Sequence, residues 1–154
     1  MSKLELLLDE LETKIPKWEL VNNKVSKSSI GWQIDHSLLA IKAITNALHN
    51  SDERLYKWRF SFKRTLVFTI NKIPRGKAKA PNSVQPKNAF SIEILTTHLA
   101  KTRVTIQQLK SLYSNNYFAH PYFGDLNVKS TIKFLEIHTQ HHLHIINDII
   151  KKSK

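Results

Sequence analysis

Apolar residues recur along most of this chain every three or four positions, the spacing that gives a helix one buried stripe. Leu4, Leu7, Leu8, Leu11 and Ile15 set the first such stretch, predicting a helix over about residues 3–15 that Pro16 ends. Residues 18–27 are polar and irregular and read as a long connection. Ser28 and Ser29 offer N-caps for a second helix, Ile30 to about Asn50, with Ile30, Ile34, Leu38, Ile41, Ile44 and Leu48 as its stripe. Asn50, Ser51 and Asp52 then cap a third helical segment expected to reach about Lys72, with Leu55, Trp58, Phe62, Leu66 and Ile70 inward. The Pro-rich, cationic stretch from Pro74 to Lys87 reads as a crossover connection. A fourth helix is expected over Ser91–Tyr113, with Ile92, Leu95, Leu99, Ile106, Leu109 and Tyr113 inward, stopped by Asn115 and Asn116. Residues 117–126 are too apolar to hang in solvent and are expected to pack over one end of the helices, before a last helix that starts near Asn127. With few glycines and no internal repeat, the pattern predicts an all-α fold: one domain over residues 1–154, an up-and-down four-helix bundle with one long crossover connection.

The last helix breaks its own pattern. Its stripe runs Thr131, Leu135, His138, His142, Ile145 and Ile149, while Lys133, Glu136, Gln140, His144, Asn147 and Lys151 fall on the other side. Two imidazoles one turn apart thus stand where leucine is expected, and a buried polar group without a partner costs roughly 2–7 kcal/mol. Hydrogen-bonding groups and a metal ion are both suitable partners. His36 lies beside the stripe of the second helix, flanked by Trp32 and by Ala40, Ala43 and Ala47, and the three alanines leave room next to it. It reads either as a boundary histidine bonded to a backbone carbonyl or as a third ligand. Three histidine ligands with one open position is the pattern of a catalytic metal site. His98, among Thr102 and Thr105, reads first as a satisfied core residue.

Composition narrows the chemistry. The 154 residues contain eight histidines and no cysteine, which excludes a disulfide framework and thiolate metal sites. Thr139 stands where a zincin helix needs glutamate after its first histidine, and Glu136 is not part of the inward Glu-x-x-His pairs of a di-iron bundle. The net charge of +12 favours anionic partners. No basic leader precedes an apolar block and no run is long enough to cross a membrane, so a cytoplasmic protein without membrane attachment is the expectation.

Three motifs in order, Ile30-Gly31-Trp32-Gln33-Ile34-Asp35-His36, then His120-Pro121-Tyr122-Phe123-Gly124, then His138-Thr139-Gln140-His141-His142, resemble those of the DinB superfamily, the damage-inducible, YfiT-like four-helix bundles. The likeness extends over nearly the whole chain and is nearest to a subgroup without an assigned function. It implies a divalent metal, zinc or nickel, on His36, His138 and His142. It also implies activity as a metal-dependent hydrolase, or as a transferase that uses a low-molecular-weight thiol, on a small-molecule substrate. His120 and His141 match the motifs and are expected to support the site or face the substrate, with His98 held in the same class. Arg75, Lys77 and Lys79 of the Pro-rich loop are expected to steer an anionic substrate.

Two readings of other classes compete with a metalloenzyme. Arg54, Lys57, Arg59, Lys63 and Arg64 interleave with Tyr56, Trp58 and Phe60, as single-stranded nucleic-acid binding uses, although helical spacing makes Trp58 a core residue and no nucleic-acid module is visible. A scaffold with purely structural histidines is the other, and apolar surface stripes of bundles favour a homodimer.

Overall fold

The computed structural model describes residues 2–76, 81–87 and 89–153. It contains five helices, α1 (Lys3–Glu12), α2 (Ile30–His49), α3 (Phe62–Ile70), α4 (Ile92–Gln107) and α5 (Val128–Lys152), and one hairpin of β1 (Tyr117–His120) and β2 (Gly124–Asn127). α2 packs against α4 and α5, and α1 closes against the same two, so that their apolar stripes meet in one core. Leu8, Leu11, Ile34, Leu38, Ile41, Leu48, Leu95, Leu99, Leu135 and Leu143 form its fully buried centre. α3 lies outside this arrangement, against α5.

Each helix starts where a short polar side chain captures a free amide. Ser2 accepts from Glu5 while Glu5 bonds back to the Ser2 amide, and Ser29 accepts from Trp32, Ser91 from Ile94 and Asn127 from Ser130. Such caps contribute about 1 kcal/mol each. α2 and α5 begin and run as the periodicity predicts. α1 stops at Glu12, and Ile15, still buried, is carried by a separate 3-10 turn, Ile15–Lys17, that Pro16 enters. α4 ends at Gln107 and passes into a 3-10 turn, Gln108–Ser111; Leu95, Leu99, Ile106 and Leu109 are buried as expected, but Ile92 and Tyr113 are exposed.

The third segment differs most. Asp52 caps only a 3-10 turn, Glu53–Leu55, by accepting from the Arg54 amide and pairing with its guanidinium. Helix resumes at Phe62, where Ser61 accepts from the Arg64 amide. The expected inward stripe points outward: Leu55, Trp58, Phe62, Leu66 and Ile70 are all exposed, and Val67 and Arg64 are buried instead. Arg64 decides this rotation. Its guanidinium donates to the carbonyls of Arg59 at 2.6 Å and Phe123 at 3.3 Å and lies 5.6 Å from the centre of the Trp58 ring, tying the extended residues before α3 to the hairpin.

The hairpin replaces the expected loop. Tyr117 pairs with Asn127 and His120 with Gly124, the latter at φ +72°, where glycine avoids the Cβ penalty. Its Leu126 and Phe123 are buried, so packing against the helix ends holds as expected, while Tyr122 is exposed. Lys77 and Lys79 of the Pro-rich connection lie outside the described residues.

The outward rotation of α3 makes a measurable contrast. Val67→Ala should lower unfolding free energy by about 2 kcal/mol through lost burial, while Leu66→Ala one position earlier should change it by less than about 0.5 kcal/mol. Urea titration followed by circular dichroism checks both, and a larger loss at Leu66 would contradict this orientation.

Candidate metal centre

α2 and α5 bring three histidines to one point between them. His36 of α2 and His138 and His142 of α5 each offer a ring nitrogen, and these atoms lie within 4.8 Å of one another. The ring centres are 5.2 Å apart for His36 and His138, and 4.7 Å apart for His36 and His142 and for His138 and His142. The i, i+4 spacing on α5 gives one pair, and the close packing of α2 on α5 supplies the third member.

Two of the rings are fixed by carbonyl acceptors. His36 Nδ1 is 2.7 Å from the Val84 carbonyl oxygen, and His142 Nδ1 is 2.7 Å from Gln33 Oε1. A carbonyl only accepts, so each Nδ1 carries its proton and each Nε2 keeps a free lone pair. Gln33 is itself oriented, donating through Nε2 to Ser26 Oγ at 3.2 Å. Trp32 stacks on the His36 ring with centres 4.9 Å apart and planes 13° from parallel, covering one of its faces. His138 differs: its Nδ1 is buried and has no hydrogen-bond partner, one of three such side-chain atoms among the described residues, with Thr45 Oγ1 and Thr139 Oγ1.

Burial keeps these rings uncharged. It pushes His138 down to about 3, helped by neighbouring His36, His141 and His120, and drives His142 well below the ordinary imidazole value. Burial also lowers His36, against the opposing effects of its Val84 bond and the Asp35 carboxylate. Neutral imidazoles are the form that binds metal ions. Three close, neutral histidines with free or orphaned nitrogens can hold a metal ion, and the donor set fits one.

The other predicted residues divide around this point. His120 stacks on Phe123 at 4.2 Å and meets Phe134 edge-on at 4.6 Å, and Phe134 in turn lies 5.7 Å from His138. Its Nδ1 accepts from the Tyr122 amide at 3.1 Å, which puts its proton on Nε2, and burial lowers it to about 4. His141 meets His142 edge-on at 5.2 Å and is lowered to about 4, first by burial and then by Arg75 and His144, with a backbone bond to Ile73 opposing. It borders a second cavity of about 370 Å³ with Lys72, Arg75 and His144. Arg75, one of the expected steering cations, is paired with Asp148 at 2.8 Å. His98 makes no ring contact with the triad among the described residues; it bonds Asp35 Oδ1 at 2.6 Å in a groove of about 590 Å³ between α2 and α4. Gln33 and the Val84 carbonyl, which orient two of the three rings, were not singled out from the sequence. A glutamine between Ile30 and Ile34 near a buried stripe is the signal that points to the first, whereas a backbone carbonyl leaves none.

The depressed histidines make the metal-free protein acid-sensitive. Each is neutral when folded and titrates near 6.5 when unfolded, so the unfolded chain binds more protons below that pH. Stability is therefore full above about pH 6.5 and falls as pH drops towards 4, by a few kcal/mol in total. Urea midpoints of chelator-treated protein at pH 7.5 and pH 5 should show the loss; equal midpoints would contradict the buried, neutral state.

Compared with known proteins, the chain matches no family model, none of the curated proteins and no solved structure.

Proposed function

We propose that the protein holds one divalent metal ion, zinc or nickel, on His36, His138 and His142, and that it is an enzyme, a hydrolase or thiol-dependent transferase acting on a small anionic substrate. The observation that carries this reading is the convergence of three neutral imidazoles, two of them locked by Nδ1–H bonds to carbonyls. An all-imidazole set suits zinc or nickel better than magnesium or calcium, and three protein ligands leave a position open. When bound there, such an ion supplies Lewis acidity towards an oxygen or sulfur donor.

The chain's own residues define the rest. Val84 and Gln33 fix the ring orientations of His36 and His142, the role that outer carbonyl acceptors have around metal-binding histidines. Trp32 keeps water from one face of His36. His120, with its proton on Nε2, sits in an aromatic setting that reaches His138 through Phe134. The net charge of +12 supports an anionic substrate. The three ordered motifs support membership of the DinB superfamily, and the mutual packing of α1, α2, α4 and α5 supports a four-helix bundle with α3 as an addition.

The orphaned Nδ1 of His138 weighs against purely structural histidines. A ring retained for hydrogen bonding would have a partner for that atom, and leaving it without one costs about 1–3 kcal/mol.

Inductively coupled plasma analysis of tag-free protein should find close to one zinc or nickel per chain, and His138→Ala should abolish it. Gln33→Leu should keep the fold but weaken metal affinity about 10–100-fold, read by competition with a chromogenic chelator. Full metal content in His138→Ala would overturn the assignment.

A further inference from the structure

The segment from Leu55 to Ile70 presents an apolar ridge that nothing among the described residues covers. Leu55, Trp58, Phe60, Phe62, Leu66 and Ile70 have relative exposures between 47% and 70%. On α3 the exposed residues Phe62, Leu66 and Ile70 follow one another at four-residue spacing, while Val67 and Arg64 face inward. The helix is thus apolar on two sides, and the protein core uses only one of them. Six large apolar side chains exposed within sixteen residues are the kind of surface that marks a contact site. The ridge is also held in shape, because Arg64 fixes Arg59 and Phe123 through their carbonyls and Trp58 through its ring.

Charge identifies the partner. Ten lysines and arginines, and no aspartate or glutamate, lie between Glu53 and Glu93. Lys57, Arg59, Lys63 and Lys72 are exposed beside the ridge and form no ion pair among the described residues, whereas Arg54 and Arg75 are paired with Asp52 and Asp148. We propose that this face docks onto an anionic lipid bilayer, the ridge entering the headgroup region and the cations meeting lipid phosphates. Among the described residues no helix is long and apolar enough to cross a membrane, and the contact proposed is a peripheral one.

Two other occupants fit less well. A second copy of the chain related by a two-fold axis would lay the patch on itself and bring these cations face to face. Single-stranded nucleic acid would use Trp58, Phe60 and Phe62 for stacking, but Leu55, Leu66 and Ile70 have no ring to stack on, whereas hydrocarbon accepts all six. The exposure of Trp58 removes the objection, drawn from helical spacing, that it belongs to the core. The inference is independent of the metal centre and stands or falls without it.

Flotation of the full chain with phosphatidylcholine vesicles, with and without phosphatidylglycerol, tests the proposal. Partitioning should be about tenfold stronger with the anionic lipid and should weaken with added salt. Tryptophan emission should shift to the blue on binding, and Trp58→Phe should remove the shift while Trp18 and Trp32 remain. The double variant Phe62→Ser, Leu66→Ser should lose about tenfold in partitioning with an unchanged thermal melt, since both side chains are outside the core. Lys57→Glu with Lys63→Glu should erase the lipid preference. Absence of vesicle binding, equal binding to both vesicle types, a dimer that shields Trp58 from iodide quenching, or binding of single-stranded DNA in place of vesicles would each overturn it.

Discussion

The contact between α2 and α5 has to accommodate three imidazoles and a glutamine amide inside a core otherwise built from leucine and isoleucine. Burying polar groups is costly unless their hydrogen-bonding atoms are matched, and this condition organises much of the surrounding structure. His142 is matched by Gln33 from the facing helix, and Gln33 by Ser26 from the connection before it. His36 is matched by Val84, a residue of the long connection between α3 and α4. The connection therefore does more than join two helices. It delivers a carbonyl to a fixed position, and a 3-10 turn, Asn82–Val84, with Val84 itself buried, holds it there.

The same condition explains why one atom stands out. The Nδ1 atoms of His36 and His142 are matched by carbonyl oxygens, while His138 Nδ1 is buried without a partner. Its burial also lowers its proton affinity more than that of its neighbours whose values are defined, so protonation offers no easy escape near neutral pH. A cation can satisfy several neutral imidazoles together, so the packing that leaves His138 Nδ1 unmatched also gives the three rings the capacity to hold a metal ion.

Legibility in the sequence followed the number of faces each segment buries. α2 and α5 bury one broad face, and helical periodicity located both ends of α2 and the start of α5 to within a residue; it also drew out His36, His138 and His142, whose ring nitrogens the fold brings together. α3 is apolar on two sides, so periodicity alone could not choose between Phe62, Leu66 and Ile70 on one side and Val67 on the other. The choice was made by Arg64, whose carbonyl partners are 5 and 59 positions away and invisible to a local pattern. The hairpin was missed because strands of four residues are too short to display a period of two, although Gly124 with Pro121 marked a turn. His98 reads from the sequence as a satisfied residue and is one, through Asp35, a partner that spacing did not suggest.

Arg64 also joins the surroundings of the triad to the exposed ridge. Through the Phe123 carbonyl it holds the turn of the hairpin, and Phe123 stacks on His120, which leads through Phe134 to His138. Through Arg59 and Trp58 it holds the exposed ridge. A buried guanidinium with no carboxylate partner among the described residues is expensive unless its donors are used and its charge is spread, and two carbonyls with one indole face meet that need only in part. The cost is understandable if a single rigid joint must set both the aromatic wall beside the triad and the outward angle of α3. Loosening it would disturb the two together, even though the triad and the ridge share no residue.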